Sequence, residues 1–121
     1  MDKKILAVDD SLTIRQSVKF AMERQGYQVE TASSGAEALQ CLGRGKVNLI
    51  ITDLHMDGMN GLELIEKIRA NPTYKFTPIL MLTTESSQEI IAQGKKAGAN
   101  GWLVKPFKPE QMAAVVEKVL R

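Results

Sequence analysis

Five short apolar runs, each rich in β-branched residues or leucine, recur along the sequence. They occupy residues 5–8, 28–31, 49–52, 79–82 and 101–104. Four of these runs are nearly continuous in hydrophobicity, which is typical of parallel strands buried on both faces of a sheet. The second run, 28–31, alternates polar and apolar residues and therefore predicts an edge strand.

The segments between these runs carry apolar residues at intervals of three and four, the spacing that aligns side chains on one face of a helix. The clearest faces are formed by Ile14, Val18, Ala21 and Met22, by Leu64, Ile65 and Ile68, and by Met112, Val115, Val116 and Val119. Strands that alternate with helices favour a parallel sheet covered by helices on both sides. The sequence therefore predicts an α/β fold, a (βα)5 doubly wound parallel sheet.

Residues with known capping preferences mark the helix ends. Start signals occur at Ser34 with Glu37, at Ser86 with Glu89 and at Pro109, and stop signals occur at Gly26 and Gly98. The fourth predicted helix, 87–97, has the thinnest apolar face. Gly94 in its interior costs about 1 kcal/mol relative to alanine. We therefore expect this helix to be among the parts of the molecule that move.

Length and composition exclude several classes of protein. A chain of 121 residues has room for one compact domain, so we expect a single domain over residues 1-121 without an output domain. The net charge of +2 is too small to indicate nucleic-acid binding, and no apolar stretch approaches the roughly 18 residues that a membrane span needs. The amino terminus lacks a signal-peptide pattern. The single cysteine, Cys41, excludes an internal disulfide and is compatible with a reducing compartment, so we predict a cytoplasmic protein. Cys41 itself is expected to pack on a helix face.

Polar residues stand directly after four of the predicted strands. Asp9 and Asp10 follow the first run, Asp53 the third, Thr83 the fourth and Lys105 the fifth. Ligands of open α/β sheets bind beyond the carboxyl ends of the strands. A helix-capping role would explain any one of these residues alone. Complementary charges supplied together by four strand ends instead predict one shared site.

The three carboxylates of this site would repel one another unless a cation lies between them. Oxygen ligands suit a hard ion such as Mg²⁺, which takes one or two carboxylates, several waters and a phosphate oxygen. Lys105 would add a fixed positive charge, and the Thr83 hydroxyl could donate to a phosphoryl oxygen. One carboxylate would remain free as a nucleophile, as in covalent phosphoryl transfer. The residue set therefore indicates phosphoryl transfer assisted by Mg²⁺.

The full pattern resembles the receiver domains of two-component response regulators, most closely the stand-alone, CheY-like (chemotaxis-type) members. It comprises Asp9-Asp10, the segment Asp53-Leu-His-Met-Asp-Gly-Met-Asn-Gly, then Thr83-Thr-Glu85 and Lys105-Pro106-Phe107. Each piece is weakly specific, whereas the set, in order and at strand ends along the whole chain, is highly specific. The resemblance implies a flavodoxin-like fold with strand order 2-1-3-4-5.

Residue roles follow from this resemblance position by position. Asp53 matches the phosphoacceptor. Asp9 and Asp10 match the acidic pair that holds Mg²⁺ together with Asp53 and the backbone carbonyl of His55. Lys105 matches the lysine that contacts the phosphoryl group.

Four further residues are assigned switch and tuning roles. Thr83 matches the hydroxyl that reorients on phosphorylation, and Trp102 lies where the family places an aromatic switch residue. His55 and Glu85 would flank the phosphoryl group and tune how fast water removes it. The resemblance also implies a cis peptide between Lys105 and Pro106.

Two positions depart from the usual family pattern. Asp57 follows Met56 where proline is common, which adds a fourth acid near the site. Trp102 is bulkier than the tyrosine often found in chemotaxis members. Two roles for Trp102 are therefore considered. It either moves inward when Thr83 shifts, or it is a half-buried core aromatic that packs on the fourth helix.

The resemblance implies a phosphorylation-dependent signalling switch rather than an enzyme with turnover of its own. A histidine kinase would donate the phosphoryl group, and a downstream target, the flagellar motor switch or another effector, would bind the phosphorylated form. A phosphatase is a further possible partner, and we expect a monomer. The lysines of segment 87–121, including Lys95 and Lys96, give this region a mildly basic face that would favour an acidic or amphipathic peptide.

Three alternatives remain at the level of the sequence. The chain could be a phosphorelay carrier that passes the group to a histidine phosphotransfer protein. A small phosphatase using an aspartyl-phosphate is disfavoured because Asp9 and Asp10 are adjacent and no segment is long enough to cover a substrate. A flavin-binding module on the same fold is disfavoured because the loop after the first strand is acidic where a flavin phosphate needs bare amides.

Overall fold

The computed structural model describes residues 3–85 and 87–120 and contains one five-stranded parallel sheet. Its strands are β1 (Lys4–Val8), β2 (Gln28–Ala32), β3 (Leu49–Asp53), β4 (Ile79–Thr83) and β5 (Gly101–Val104). They are ordered β2-β1-β3-β4-β5. This order confirms the doubly wound, flavodoxin-like fold, and it confirms β2 as an edge strand.

Five α-helices connect and cover the strands. They are α1 (Leu12–Glu23), α2 (Gly35–Arg44), α3 (Gly61–Ala70), α4 (Gln88–Ala97) and α5 (Pro109–Leu120), with a 3-10 turn at Pro72–Tyr74. Helices α1 and α5 pack on one face of the sheet, and α2, α3 and α4 cover the other. Successive strand residues alternate between the two cores: Ile5 and Ala7 face α1 and α5, and Leu6 and Val8 face the opposite layer.

Most of the expected helix ends are present. The Ser34 hydroxyl accepts a hydrogen bond from the Glu37 amide (3.1 Å), and α5 begins at Pro109. Gly26 and Gly98 adopt positive φ angles of 94° and 122° after α1 and α4.

The predicted start of the fourth helix was wrong. Ser86 lies outside the described residues, and the N-cap of α4 is Ser87, whose hydroxyl accepts from the Ile90 amide (3.3 Å). Two serines in succession offer the same capping chemistry, so their order alone does not indicate which one caps.

The prediction that β5 is buried on both faces was also wrong. β5 pairs only with β4 and forms the second edge of the sheet. Trp102 and Val104 point outward and are 38% and 37% exposed. An apolar run has the same sequence pattern at an edge as at the centre of a sheet, so only strand pairing separates the two cases.

Close packing explains the glycine inside α4. Gly94 is buried, and a Cβ atom at this position would overlap the Met81 side chain of β4. The glycine therefore lets α4 lie directly on the sheet, a benefit that its low helix propensity does not reveal.

Cys41 is buried in the core under α2, as predicted. Among the described residues, no helix is long and apolar enough to cross a membrane.

Candidate functional site

The polar residues that follow the strands lie together at the carboxyl ends of the strands. Strand registers pair Val8 with Thr52, Asp53 with Leu82 and Thr83 with Val104, so the strands end at nearly the same level. Asp9, Asp10 and Asp53 each offer a carboxylate oxygen, and these oxygens lie within 4.8 Å of one another. The sheet thus gathers three acids from two different strands, β1 and β3.

Lys105 joins this acidic cluster from β5. Its Nζ atom lies 3.0 Å from Asp9 Oδ2 and 3.0 Å from Asp53 Oδ1. Both aspartates are almost completely buried, with 2% and 5% of their surface exposed. Because buried like charges repel strongly, the ammonium between them is needed to stabilise both in the ionised form.

Hydrogen bonds fix the side chain and the backbone of Asp9. Its Oδ1 atom accepts from the Ser11 amide (2.9 Å), and its own amide donates to the Ala32 carbonyl (3.1 Å). The Arg15 guanidinium donates to its backbone carbonyl (2.8 Å). Asp10, in contrast, is exposed. Sequence reasoning missed Arg15, and its one signal was a basic residue in the first turn of α1, next to the acidic pair.

The environment of Asp53 changes its acidity. Burial raises the pKa of the Asp53 carboxyl, the hydrogen bond from Lys105 lowers it, and the neighbouring Asp9 charge raises it, so that the net pKa is above the usual value. A higher pKa corresponds to a more basic carboxylate oxygen, which is a better nucleophile when ionised.

The pKa of Lys105 is also raised. Burial alone would lower this pKa, but the hydrogen bonds with Asp53 and Asp9 favour the ammonium form and outweigh burial. Lys105 therefore stays positively charged at neutral pH and neutralises the two buried aspartates.

The donor set of the cluster fits a magnesium ion. Three carboxylates and no nitrogen or sulfur ligand lie in the group that could hold a metal in the described part of the chain. Mg²⁺ prefers oxygen ligands and usually keeps several bound waters. The cluster offers carboxylate oxygens, and the exposed position of Asp10 leaves room for water. The predicted ligation by the His55 carbonyl stays a prediction.

Thr83 ends β4, the neighbour of the strand that ends at Asp53. Thr83 is fully buried at the end of β4, and its hydroxyl oxygen accepts a hydrogen bond from the Glu85 amide (2.9 Å). A movement of this hydroxyl would therefore break a bond to the loop that precedes α4.

His55 and Glu85 meet at the rim. His55 Nε2 lies 2.9 Å from Glu85 Oε1, and both side chains are exposed. The sequence placed these residues on either side of the site, but it did not indicate that they contact each other across 30 positions.

Trp102 lies outside the pocket. The Lys95 ammonium of α4 stands 5.2 Å from the centre of its indole ring, over the outer face of β5. Two surface grooves meet at this ring, one beside α4 and one beside α5. The Lys105–Pro106 peptide is cis, as the resemblance implied.

Comparison with known families gives a match over almost the whole chain. A family model described as "Response regulator receiver domain" matches residues 5–117. The chain belongs to this family. The receiver's acidic pair, its Asp53, its Thr83 and its Lys105 all fall within the matched region.

Individual relatives of this receiver are chemotaxis proteins. The "Chemotaxis protein CheY homolog" of Campylobacter jejuni is 42% identical over 119 residues, which cover 97% of this chain and 92% of that protein. "Chemotaxis protein CheY1" of Helicobacter pylori is 41% identical, with 97% and 96% covered. The solved structure of Vibrio cholerae chemotaxis protein CheY4 superposes with a TM-score of 0.97 at 48% identity, covering 99% of this chain and all of that one. The receiver is therefore CheY-like in sequence and in fold.

Proposed function

We propose that this receiver is a phosphorylation switch in which Asp53 accepts a phosphoryl group and the changed surface then binds a partner protein. The observation that carries the proposal is the buried Asp53 carboxylate, held 3.0 Å from the Lys105 ammonium beside two further aspartates. A structural ion pair needs one acid, whereas this pocket holds three. Such an excess of acids suits a site that takes a divalent cation and a phosphoryl group.

The transfer step follows from the geometry of these residues. An Asp53 carboxylate oxygen attacks the phosphorus of a phosphohistidine in a kinase and forms an O–P bond as the P–N bond breaks; the histidine nitrogen keeps the electron pair and takes a proton from solvent water. Lys105 remains as a point charge for a phosphoryl oxygen, and Asp9, fixed by its hydrogen bonds and its ion pair, keeps the pocket from rearranging. Asp9, Asp10 and Asp53 would hold Mg²⁺, which would supply charge neutralisation for the transferred group.

The Thr83 hydroxyl is the link from this site to the surface. A phosphoryl oxygen offers a stronger, charged acceptor than any neutral group near Thr83. When the hydroxyl turns to donate to it, the hydrogen bond from the Glu85 amide is lost. The loop before α4 is then released, and α4 and Trp102 change the surface at this edge of the sheet.

The partners of the switch are inferred from its relatives. Because the similar proteins are named as chemotaxis proteins, we infer a histidine kinase as phosphodonor and the flagellar motor switch, or another effector of motility signalling, as target. A dedicated phosphatase fits the same scheme. We infer a monomer that works in the cytoplasm and does not catalyse reactions of other substrates.

The direct test is intact mass after incubation with acetyl phosphate, with Mg²⁺ and with EDTA in its place. We expect a gain of one phosphoryl group that depends on Mg²⁺, because the acidic pocket requires a cation before a phosphoryl group can approach. An equal gain in EDTA would contradict the metal assignment, and no gain under either condition would contradict the proposed function.

The contact between His55 and Glu85 predicts a slow loss of the phosphoryl group. His55 is two residues after Asp53 and Glu85 two residues after Thr83, so their paired side chains would shield an acyl phosphate at Asp53 from water. Replacing both with alanine should speed dephosphorylation by about tenfold. The decay of phosphorylated protein after removal of the donor measures this rate. Glu89→Ala, an exposed acid in the first turn of α4, is the matched control and should leave the rate unchanged. An unchanged rate in the double variant would refute the tuning role.

The basic surface near Trp102, formed by Lys95 and Lys96, is expected to affect partner binding but not the rate of phosphorylation. Exchange of Lys95 and Lys96 for alanine should weaken binding to a motor-switch peptide by about tenfold, since two cations and the Lys95–indole contact are lost. Phosphorylation should keep its normal rate because neither lysine contacts the pocket. Lys67→Ala on α3 controls for the general loss of a surface charge. Equal losses of binding and phosphorylation would show that this face is not a separate output surface.

A further inference from the structure

A groove of about 310 Å³ lies at the end of the sheet opposite Asp53. It is formed by the connection before β3 and the connection between α3 and β4. Its lining includes Lys46, Val47, Asn48, Phe76, Thr77 and Pro78. β3 starts at Leu49 beside the groove and ends at Asp53, so the groove and the candidate site are separated by the length of that strand, about 15 Å.

Phe76 dominates the rim of this groove. It is 87% exposed, the highest value among the large hydrophobic side chains of the described residues. A phenylalanine loses a large favourable transfer free energy when its ring stays in water. Since Phe76 belongs to no core cluster, its contribution to folding cannot account for the residue at this position.

The backbone that carries Phe76 is unusually well fixed. The Arg69 guanidinium donates to the carbonyl oxygens of Tyr74 (2.8 Å) and Thr77 (2.7 Å), on either side of Phe76. The buried Tyr74 hydroxyl lies 2.9 Å from the Gly45 carbonyl and so ties together the two connections that form the groove. A binding surface that is already rigid loses little entropy when a partner docks.

The charges around the groove have one sign. Lys46 lines it, and the Lys75 ammonium stands 5.6 Å from the centre of the Phe76 ring. Neither lysine forms an ion pair with a carboxylate of the described residues. Glu30, at the same end of the sheet, is already paired with Lys4 and Arg44. The groove therefore presents Phe76 together with Lys46 in its lining and Lys75 beside the ring, and neither lysine is neutralised by a carboxylate of the described residues.

We propose that this groove binds an acidic segment of a partner protein, with an apolar side chain of that segment packed against Phe76 and its carboxylates beside Lys46 and Lys75. The two lysines match the carboxylates of a peptide, and the groove of about 310 Å³ has room for a side chain of that peptide. Because the groove is remote from Asp53 and shares no residue with the switch loop, this docking is independent of phosphorylation. It would hold the switch near a partner in both of its states.

Phe20 provides a matched contrast on α1. It is also exposed, at 62%, with the Arg24 guanidinium 5.5 Å from its ring centre. Its groove, however, contains Glu110, and the neighbouring Lys19 is paired with Glu23. The charges there are mixed, so Phe20 is not expected to select acidic peptides.

The experiment is a selection of random displayed peptides on the immobilised protein, followed by affinity measurements on the enriched sequences. We expect peptides with aspartate or glutamate flanking an aromatic or aliphatic residue. Phe76→Ser should weaken their binding by at least about tenfold, and Lys46→Glu by about fivefold. Both side chains are exposed, so both variants keep the fold, which a thermal melt checks. Phe20→Ser should bind as the natural chain does.

The outcomes separate this proposal from the proposed switch. Equal affinity of the natural chain with and without acetyl phosphate and Mg²⁺ supports docking that is independent of phosphorylation, and Asp53→Asn, treated in the same way, is the control; an affinity that changes only in the treated natural chain would contradict this independence. Enriched peptides without acidic residues, or binding that Phe76→Ser leaves unchanged, would overturn the proposal. Lack of any enriched peptide would overturn it too, as would Phe76-dependent binding to phosphatidylserine vesicles in place of peptides.

Discussion

Replacing Asp53 with asparagine is expected to abolish phosphoryl uptake from acetyl phosphate. The amide has no negative oxygen to attack phosphorus, and the other buried carboxylate beside Lys105, that of Asp9, is not free to replace it. Asp9 has both carboxylate oxygens engaged, with the Ser11 amide and with Lys105. Intact mass spectrometry with Mg²⁺ and a phosphodonor measures the effect.

The asparagine variant should still fold. Lys105 keeps its ion pair with Asp9, so no buried charge loses all of its partners. Asp57→Asn, an exposed acid four residues further along, is the matched control and should phosphorylate within about twofold of the natural rate. A full phosphoryl adduct on the Asp53→Asn variant would show that another residue is the acceptor.

Replacing Gly61 with alanine is expected to lower the free energy of unfolding by about 3 kcal/mol. Gly61 begins α3, and its amide donates to the Leu54 carbonyl (2.9 Å). A Cβ atom would overlap the Asp53 carbonyl oxygen and lie 2.8 Å from Leu54 Cα. These are backbone atoms, so they cannot move aside as a flexible side chain would. Urea unfolding followed by circular dichroism gives the difference.

Gly43→Ala is the matched control for this substitution. Gly43 lies inside α2 and is exposed, and a methyl group on its Cα atom would extend into open space. Alanine there should raise stability by about 0.5–1 kcal/mol, because it reduces the freedom of the unfolded chain and favours the helix. If Gly61→Ala were as stable as the natural chain, the close packing of α3 on the Asp53 backbone would not hold in solution.

Much of the fold followed from local patterns. The apolar runs and the helical faces indicated the βα alternation, and short right-handed connections leave few arrangements for such a chain. The edge position of β2 was visible because Gln28 and Glu30 alternate with apolar residues. The residue pattern of β5 did not show its edge position, because Trp102 and Val104 are apolar although they are exposed. Only the strand order implied by the resemblance put β5 at an edge.

The candidate site was predicted in its members but not in its contacts. Residues that follow parallel strands lie at the same end of the sheet, whatever the details of side-chain packing. The proximity of Asp9, Asp53 and Lys105 could therefore be predicted. The bond between Arg15 and the Asp9 carbonyl, and the pair formed by His55 and Glu85, depend on loop conformation and on rotamers. Neither is encoded by spacing along the chain.

The sequence by itself determined the order of elements and the chemical character of the pocket, because periodicity and strand-end residues are local properties. Only the tertiary structure decided which distant surfaces touch. It showed that Gly94 packs closely on the Met81 side chain, that the Lys95 ammonium lies over the Trp102 ring, and that Lys75 lies beside Phe76. The physical reason is that steric fit and charge pairing act between residues far apart in the chain, where no local pattern records them.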